Sequence, residues 1–109
     1  NIHVGGAYGD RKSTLARFCK NFQLLNEDTR KRLVIENDDS PNEYSVKDLF
    51  DGVYQVIGIP ITFDYFHHKF NTGGLTEEEA LKMASITWPE GKSKEQAIFN
   101  YGKKKIVQL

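Results

Sequence analysis

"FDYFHHKF" (63–70) ends an apolar run in an acid and, three residues on, a pair of histidines: Asp64, His67 and His68. A strand needed only for packing gains nothing from such an ending. The same kind of group recurs behind two earlier apolar runs, as His3 in "NIHVGG" (1–6) and Glu36 in "RLVIENDD" (32–39). Burying an ionisable side chain is costly unless it is paired or ligated. Imidazole with carboxylate is the ligand set of Zn²⁺ and Mn²⁺ at hydrolytic centres.

Taken singly, each group has a plainer reading. A lone His3 near a strand end is more often an ordinary hydrogen-bonded histidine. Glu36, Asn37, Asp38 and Asp39 read equally well as a solvated, turn-forming acidic loop, and "HHK" (67–69) as a polar surface loop. The "EEE" run (77–79) is helix capping and dipole matching, and the lysines at 103–105 are solvated. Phe18, Phe22, Leu49, Phe50 and Trp88 belong to the core or to helix packing. What favours ligands is recurrence of ionisable groups at one strand parity and one spacing.

The elements that must position them alternate. "NIHVGG" reads as a strand ending in a glycine turn, followed by a helix over 11–25 with Leu15, Phe18, Phe22 and Leu25 on one face. Asn26 caps a short helix, "EDTRKR", ahead of a second strand, "RLVIEND" (32–38). Ser45 caps a helix with apolar positions Val46, Leu49, Phe50, Val53 and Ile57, which Gly58 stops. "IPITFDY" (59–65) is the third strand, with His67 in the loop behind it. Thr76 and Glu79 form a capping box for a helix through "EEEALKMASITW" that ends before Pro89. The fourth strand is either "QAIFNYG" (96–102) or "KKIVQL" (104–109).

Strands alternating with helices imply an α/β fold with parallel pairing and right-handed crossovers. Glu36 lies 33 residues after His3, and Asp64 lies 28 after Glu36. Those steps bracket the roughly 30-residue unit of an eight-fold barrel of about 250 residues. Four such units make about half a TIM barrel, a single partial domain over residues 1–109. A doubly wound sheet has similar units. In a barrel, chemistry sits at the C-terminal strand ends. Side chains alternate, so Leu33 and Ile35 oppose Glu36, Ile61 and Phe63 oppose Asp64, and Ile2 and Val4 oppose His3. With apolar sets turned to the helices, three consecutive units aim an ionisable group at the axis.

Composition bounds the function. The chain is 39% hydrophobic and 28% charged, ordinary for a globular protein. Its net charge is zero, so any phosphate must be bound locally, by a small basic cluster or a metal ion. No apolar run reaches the ~20 residues of a membrane span. The single Cys19 excludes an internal disulfide and is consistent with an intracellular, reducing compartment. The start at Asn1 and the ending "KKKIVQL" suggest a piece of a larger protein.

"IHVGGAYGD", "RLVIENDD", "FDYFHHK" and "LTEEEALKMASITW", in that order, resemble the UV damage endonuclease family. The likeness spans residues 1–101 and corresponds to the middle-to-late, C-terminal-half portion of a family member. It implies a TIM barrel related to the endonuclease IV type, with a cluster of divalent metals, Mn²⁺ or Zn²⁺. The implied activity is nicking of damaged double-stranded DNA, 5′ of UV photoproducts or other lesions, in DNA repair. By motif, His3, Glu36, Asp64 and His67 are similar to the family's metal ligands, and Glu36, Asp64 and His67 would carry catalysis. His68 and Lys69 belong to the motif without a ligand role. No protein partner is implied.

The sequence departs from the family at the next strand, where a Lys-x-His-Tyr-Ser-like segment is usual. "IFNYG" (98–102) has Ile98 and Asn100 in place of the lysine and histidine and keeps Tyr101; "KIVQL" keeps Lys105 alone. Two other readings remain: a sugar-isomerase-like metal barrel, which uses similar acids and histidines on the same fold, and an inactive DNA-binding relative, which the missing histidine suggests.

Overall fold

The computed structural model describes residues 2–5, 10–89 and 98–99. Asp10 starts α1 (Arg11–Gln23), its carboxylate accepting from the backbone N–H groups of Lys12 and Ser13. Cys19 and Phe22 are the buried positions of this helix. Leu25, expected on the same face, falls beyond the helix end and is 40% exposed. Asn26 caps α2 (Glu27–Arg32), whose first turn is acidic and last turn basic, as the helix dipole favours.

The second expected strand is short: β1 (Ile35–Glu36). Ser45 and Asp48 form a reciprocal capping box at α3 (Val46–Leu49). The helix continues through a π-helical stretch (Phe50–Tyr54) into α4 (Gln55–Ile57). Here α1 comes very close, since a Cβ on Gly52 would meet Leu15 Cδ1 at 2.6 Å. Gly58 ends α4 at φ +73°, a left-handed conformation glycine adopts without strain.

β2 (Ile61–Asp64) follows, fully buried along its length. The segment expected as a loop behind it is instead α5 (Tyr65–Phe70). Asp64 is its cap, a role that converts a strand end directly into a helix start. Thr76 and Glu79 form the expected box at α6 (Glu77–Ile86). The last element, β3 (Ile98–Phe99), lies in the first of the two candidate fourth strands; residues 104–109 are outside the described residues.

All strand pairs are parallel, in the order β1-β2-β3, and Ile2 adds a parallel bridge to Ile35. Among its described residues, 2–5, "NIHVGG" thus contributes one bridge rather than a strand. Neighbours in sequence are neighbours in the sheet, the arrangement of successive βα units in a barrel. The register pairs Ile35 with Ile61 and Glu36 with Thr62. Isoleucines therefore share one face, and Glu36, Thr62 and Asp64 the other, as strand parity requires.

The apolar face packs Ile35, Ile61 and Phe63 against Val46, Leu49, Val53, Ala80 and Ala84, all with no exposed surface. The end of α6 is tied to the strand itself. Ile61 N–H donates to Thr87 Oγ1 at 2.8 Å, and Trp88 Nε1–H donates to Ile61 O at 2.7 Å. Leu49, at the centre of this layer, sets a stability test. In urea unfolding, Leu49→Ala is expected to cost about 2–5 kcal/mol; a loss below about 1 kcal/mol would show that the layer is not packed as described.

Candidate metal centre

The site begins where β1 ends. Glu36 is 5% exposed, Asn37 has no exposed surface, and Asp38 is 4% exposed. The acidic segment is therefore not the solvated turn that its composition permits; only Asp39 of the four is exposed. Asn37 explains the burial. Its side-chain Nδ2 donates to Asp64 O at 3.0 Å, and Asp64 N–H donates to its Oδ1 at 2.7 Å. One amide thus clamps the end of β1 to the end of β2, both partners satisfied without water.

That clamp brings Glu36 and Asp64 side by side, and α5 adds His67. Asp64 Oδ1 accepts from His67 N–H at 2.9 Å, fixing the first turn. The His67 ring lies with Nδ1 at 2.7 Å from Asn37 O, 3.2 Å from Asp64 Oδ2 and 3.4 Å from Glu36 Oε2. Glu36, Asp64 and His67 each offer a ligand atom, and these atoms lie within 4.8 Å of one another. His3, grouped with them by sequence, stands at the rim. Its Nε2 is 4.0 Å from Glu36 Oε2, its ring centre 6.2 Å from that of His67, and its side chain 42% exposed.

The electrostatics match the geometry. Burial alone would lower the His67 pKa, but the Asn37 carbonyl and the Asp64 and Glu36 carboxylates outweigh it and raise the pKa above the ordinary imidazole value. Burial pushes Asp38 above the usual carboxylate range, against the pull of His3 and the Tyr44 N–H. Two carboxylates within 4.8 Å repel by at least about 3 kcal/mol at an effective dielectric near 20. A divalent cation removes that repulsion. The donor chemistry also fits one: two carboxylates and an imidazole are a common ligand set of Zn²⁺ and Mn²⁺.

Other motif residues take different places. His68 is buried rather than on a polar surface, its ring centre 5.5 Å from that of Phe63, and burial lowers its pKa. Lys69 is exposed, its Nζ 4.9 Å from the Tyr65 ring centre. Asn100, Tyr101 and the lysines at 103–105 lie outside the described residues. Asn37 and Asp38 are what sequence reasoning passed over. An Asn-Asp pair directly behind a strand-end acid was the available signal.

Residues 1–100 match the family described as UV-endonuclease UvdE. The chain belongs to the UV-endonuclease UvdE family. It is 48% identical over 89 residues to the UV DNA damage endonuclease of Bacillus pumilus, covering 81% of this chain and 27% of that protein. It is 43% identical over 76 residues to the UV-damage endonuclease of Schizosaccharomyces pombe, covering 70% of this chain and 12% of that one. The crystal structure of SacUVDE superposes with a TM-score of 0.74 at 40% identity, covering 80% of this chain and 29% of that chain. The parallel βα units are thus part of a TIM-barrel-like UvdE fold. The chain spans about a quarter of the length of the Bacillus relative. Among the described residues, no helix of this UvdE chain is long and apolar enough to cross a membrane.

The raised His67 pKa has a sign that can be measured in metal-free protein. Protonated His67 stabilises the folded state below the unfolded pKa of 6.5, and that stabilisation is lost as pH rises through the higher folded value. The urea midpoint is expected to fall between about pH 6 and pH 8, and His67→Gln to flatten the fall. Equal slopes for both proteins would contradict the assigned contacts.

Proposed function

We propose that the complete protein is a metal-dependent DNA repair endonuclease. It hydrolyses a phosphodiester of damaged double-stranded DNA, 5′ of UV photoproducts or other lesions. The names of its relatives in Bacillus pumilus and Schizosaccharomyces pombe support the substrate class. The observation that carries the reading is the convergence of Glu36, Asp64 and His67 from two successive strand ends.

These three side chains, with His3 beside them, would hold the divalent cation or cations, Mn²⁺ or Zn²⁺. When bound, such ions activate water near neutral pH and offset charge on the phosphodiester. The chain's own residues do the rest. Glu36 and Asp64 supply fixed negative oxygens, and Asn37 prevents them from drifting apart. The Asn37 carbonyl, in contact with Nδ1, holds the His67 ring against the two acids. These 109 residues carry zero net charge, so within them the attraction for the scissile phosphate would come from the bound cation. Work on DNA would place the protein inside the cell.

Ile98 favours a second reading. It stands in β3, opposite Phe63, where the family resemblance expects a lysine. A DNA-binding relative without nuclease activity would tolerate that change. Family membership favours DNA over the small polyol of a sugar isomerase.

The test uses the complete protein with Mn²⁺ on UV-irradiated and undamaged duplex. Damage-dependent nicking is expected, abolished by a chelator and restored by Mn²⁺. Glu36→Gln and Asp64→Asn should each abolish nicking, with helical content nearly unchanged. Damage-dependent DNA binding without nicking would establish the second reading; normal nicking by both variants would make the two residues structural.

A further inference from the structure

We propose that Asp38 is a positioning residue for His3, holding its ring so that Nε2 serves as a donor to the metal centre. The inference rests on the metal reading above and extends it to a residue outside the convergent three. His3 needs such support. Its side chain is 42% exposed, and among the described residues its segment joins the sheet by one parallel bridge, at Ile2. A half-exposed imidazole with no side-chain partner would sample several rotamers.

Asp38 is the opposite, a buried and doubly engaged carboxylate. Its Oδ1 lies 2.5 Å from His3 Nδ1, and its Oδ2 accepts from Tyr44 N–H at 3.3 Å. The backbone around it is fixed as well. Asp38 N–H donates to Tyr44 O at 2.9 Å, and Asn71 Nδ2 donates to Asp38 O at 3.3 Å and to Ser40 O at 2.9 Å. Tyr44 itself has no exposed surface and lies under the Arg11 guanidinium, 4.7 Å from its ring centre. A buried, doubly engaged carboxylate thus receives the Nδ1–H of a half-exposed ring.

The consequence is a defined tautomer. With its proton on Nδ1, His3 carries its lone pair on Nε2, which lies 4.0 Å from Glu36 Oε2. That separation is too long for a hydrogen bond, and it sets the ring nitrogen facing the candidate centre beside one of its carboxylates. Carboxylate–histidine support of this kind fixes both orientation and tautomer of a metal-binding imidazole, and its loss weakens metal binding about ten- to hundredfold.

The test uses the complete, metal-depleted protein titrated with Mn²⁺ and with Zn²⁺ by calorimetry, and ¹⁵N spectra of its histidines. Asp38→Asn keeps an oxygen for the Tyr44 N–H but turns an N–H donor toward His3. Expected are metal affinity about ten- to hundredfold weaker, a switch of His3 from the Nδ1–H to the Nε2–H tautomer, and a melt that stays cooperative. Asp38→Glu should recover part of the affinity. In a His3→Ala background, Asp38→Asn should cost nothing further, because the ring it positions is gone.

Unchanged affinity in Asp38→Asn, or the same loss with and without His3, overturns the proposal. So does an Nε2–H tautomer of His3 in the metal-free wild type, a result independent of how any variant folds. Absence of Mn²⁺ and Zn²⁺ binding by the wild type overturns it too. DNA takes no part in these measurements. A protein that binds metal in the expected pattern yet does not nick therefore loses the nuclease reading and keeps this one.

Discussion

Everything at the strand ends depends on the Asn37 amide. Two carboxylates drawn from adjacent strands repel, and a parallel sheet offers no reason for them to meet. The paired hydrogen bonds between Asn37 and the Asp64 backbone hold the ends of β1 and β2 together where the regular ladder stops. The Asn37 carbonyl then accepts the His67 ring proton. One residue thus sets the spacing of the acids and the orientation of the His67 ring. Its own complete burial makes those bonds costly to break, since a freed amide would find no water.

The rest of the chain serves to keep that clamp in place. Ile35, Ile61 and Phe63 anchor the two strands on the face opposite Glu36 and Asp64. Thr87 and Trp88 bind the backbone of Ile61, so α6 holds β2 from outside. Asp64 joins both systems, because the carboxylate that lies in the candidate metal centre also caps α5 and thereby places His67. Packing and chemistry meet in that residue. A polar group left on a buried strand at the expense of stability is the usual mark of a functional site.

Much of this was legible in the residues. Alternation along β1 and β2 assigned Glu36 and Asp64 to one face, and the register agrees. Caps at Asn26, Ser45 and Thr76 marked three helix starts because their side chains satisfy local N–H groups, which sequence spacing reveals. The helix α5 was missed because its cap, Asp64, reads as the last residue of a strand, and six residues show too little periodicity to declare a helix. Strand lengths were overestimated because apolar runs extend beyond the ladder that pairs. The burial of Asn37 and Asp38 was hidden for a different reason: it depends on partners 27 and 35 residues away, and no local pattern reports them.

The central claim is that one cation shares the donors of Glu36, Asp64 and His67. It is tested most directly by crystals of the complete protein grown with Mn²⁺, with anomalous data collected at the manganese edge. A peak about 2.0–2.3 Å from an oxygen of each carboxylate and from a His67 nitrogen is the expected result. Strong manganese peaks elsewhere, with none touching these three side chains, would contradict it.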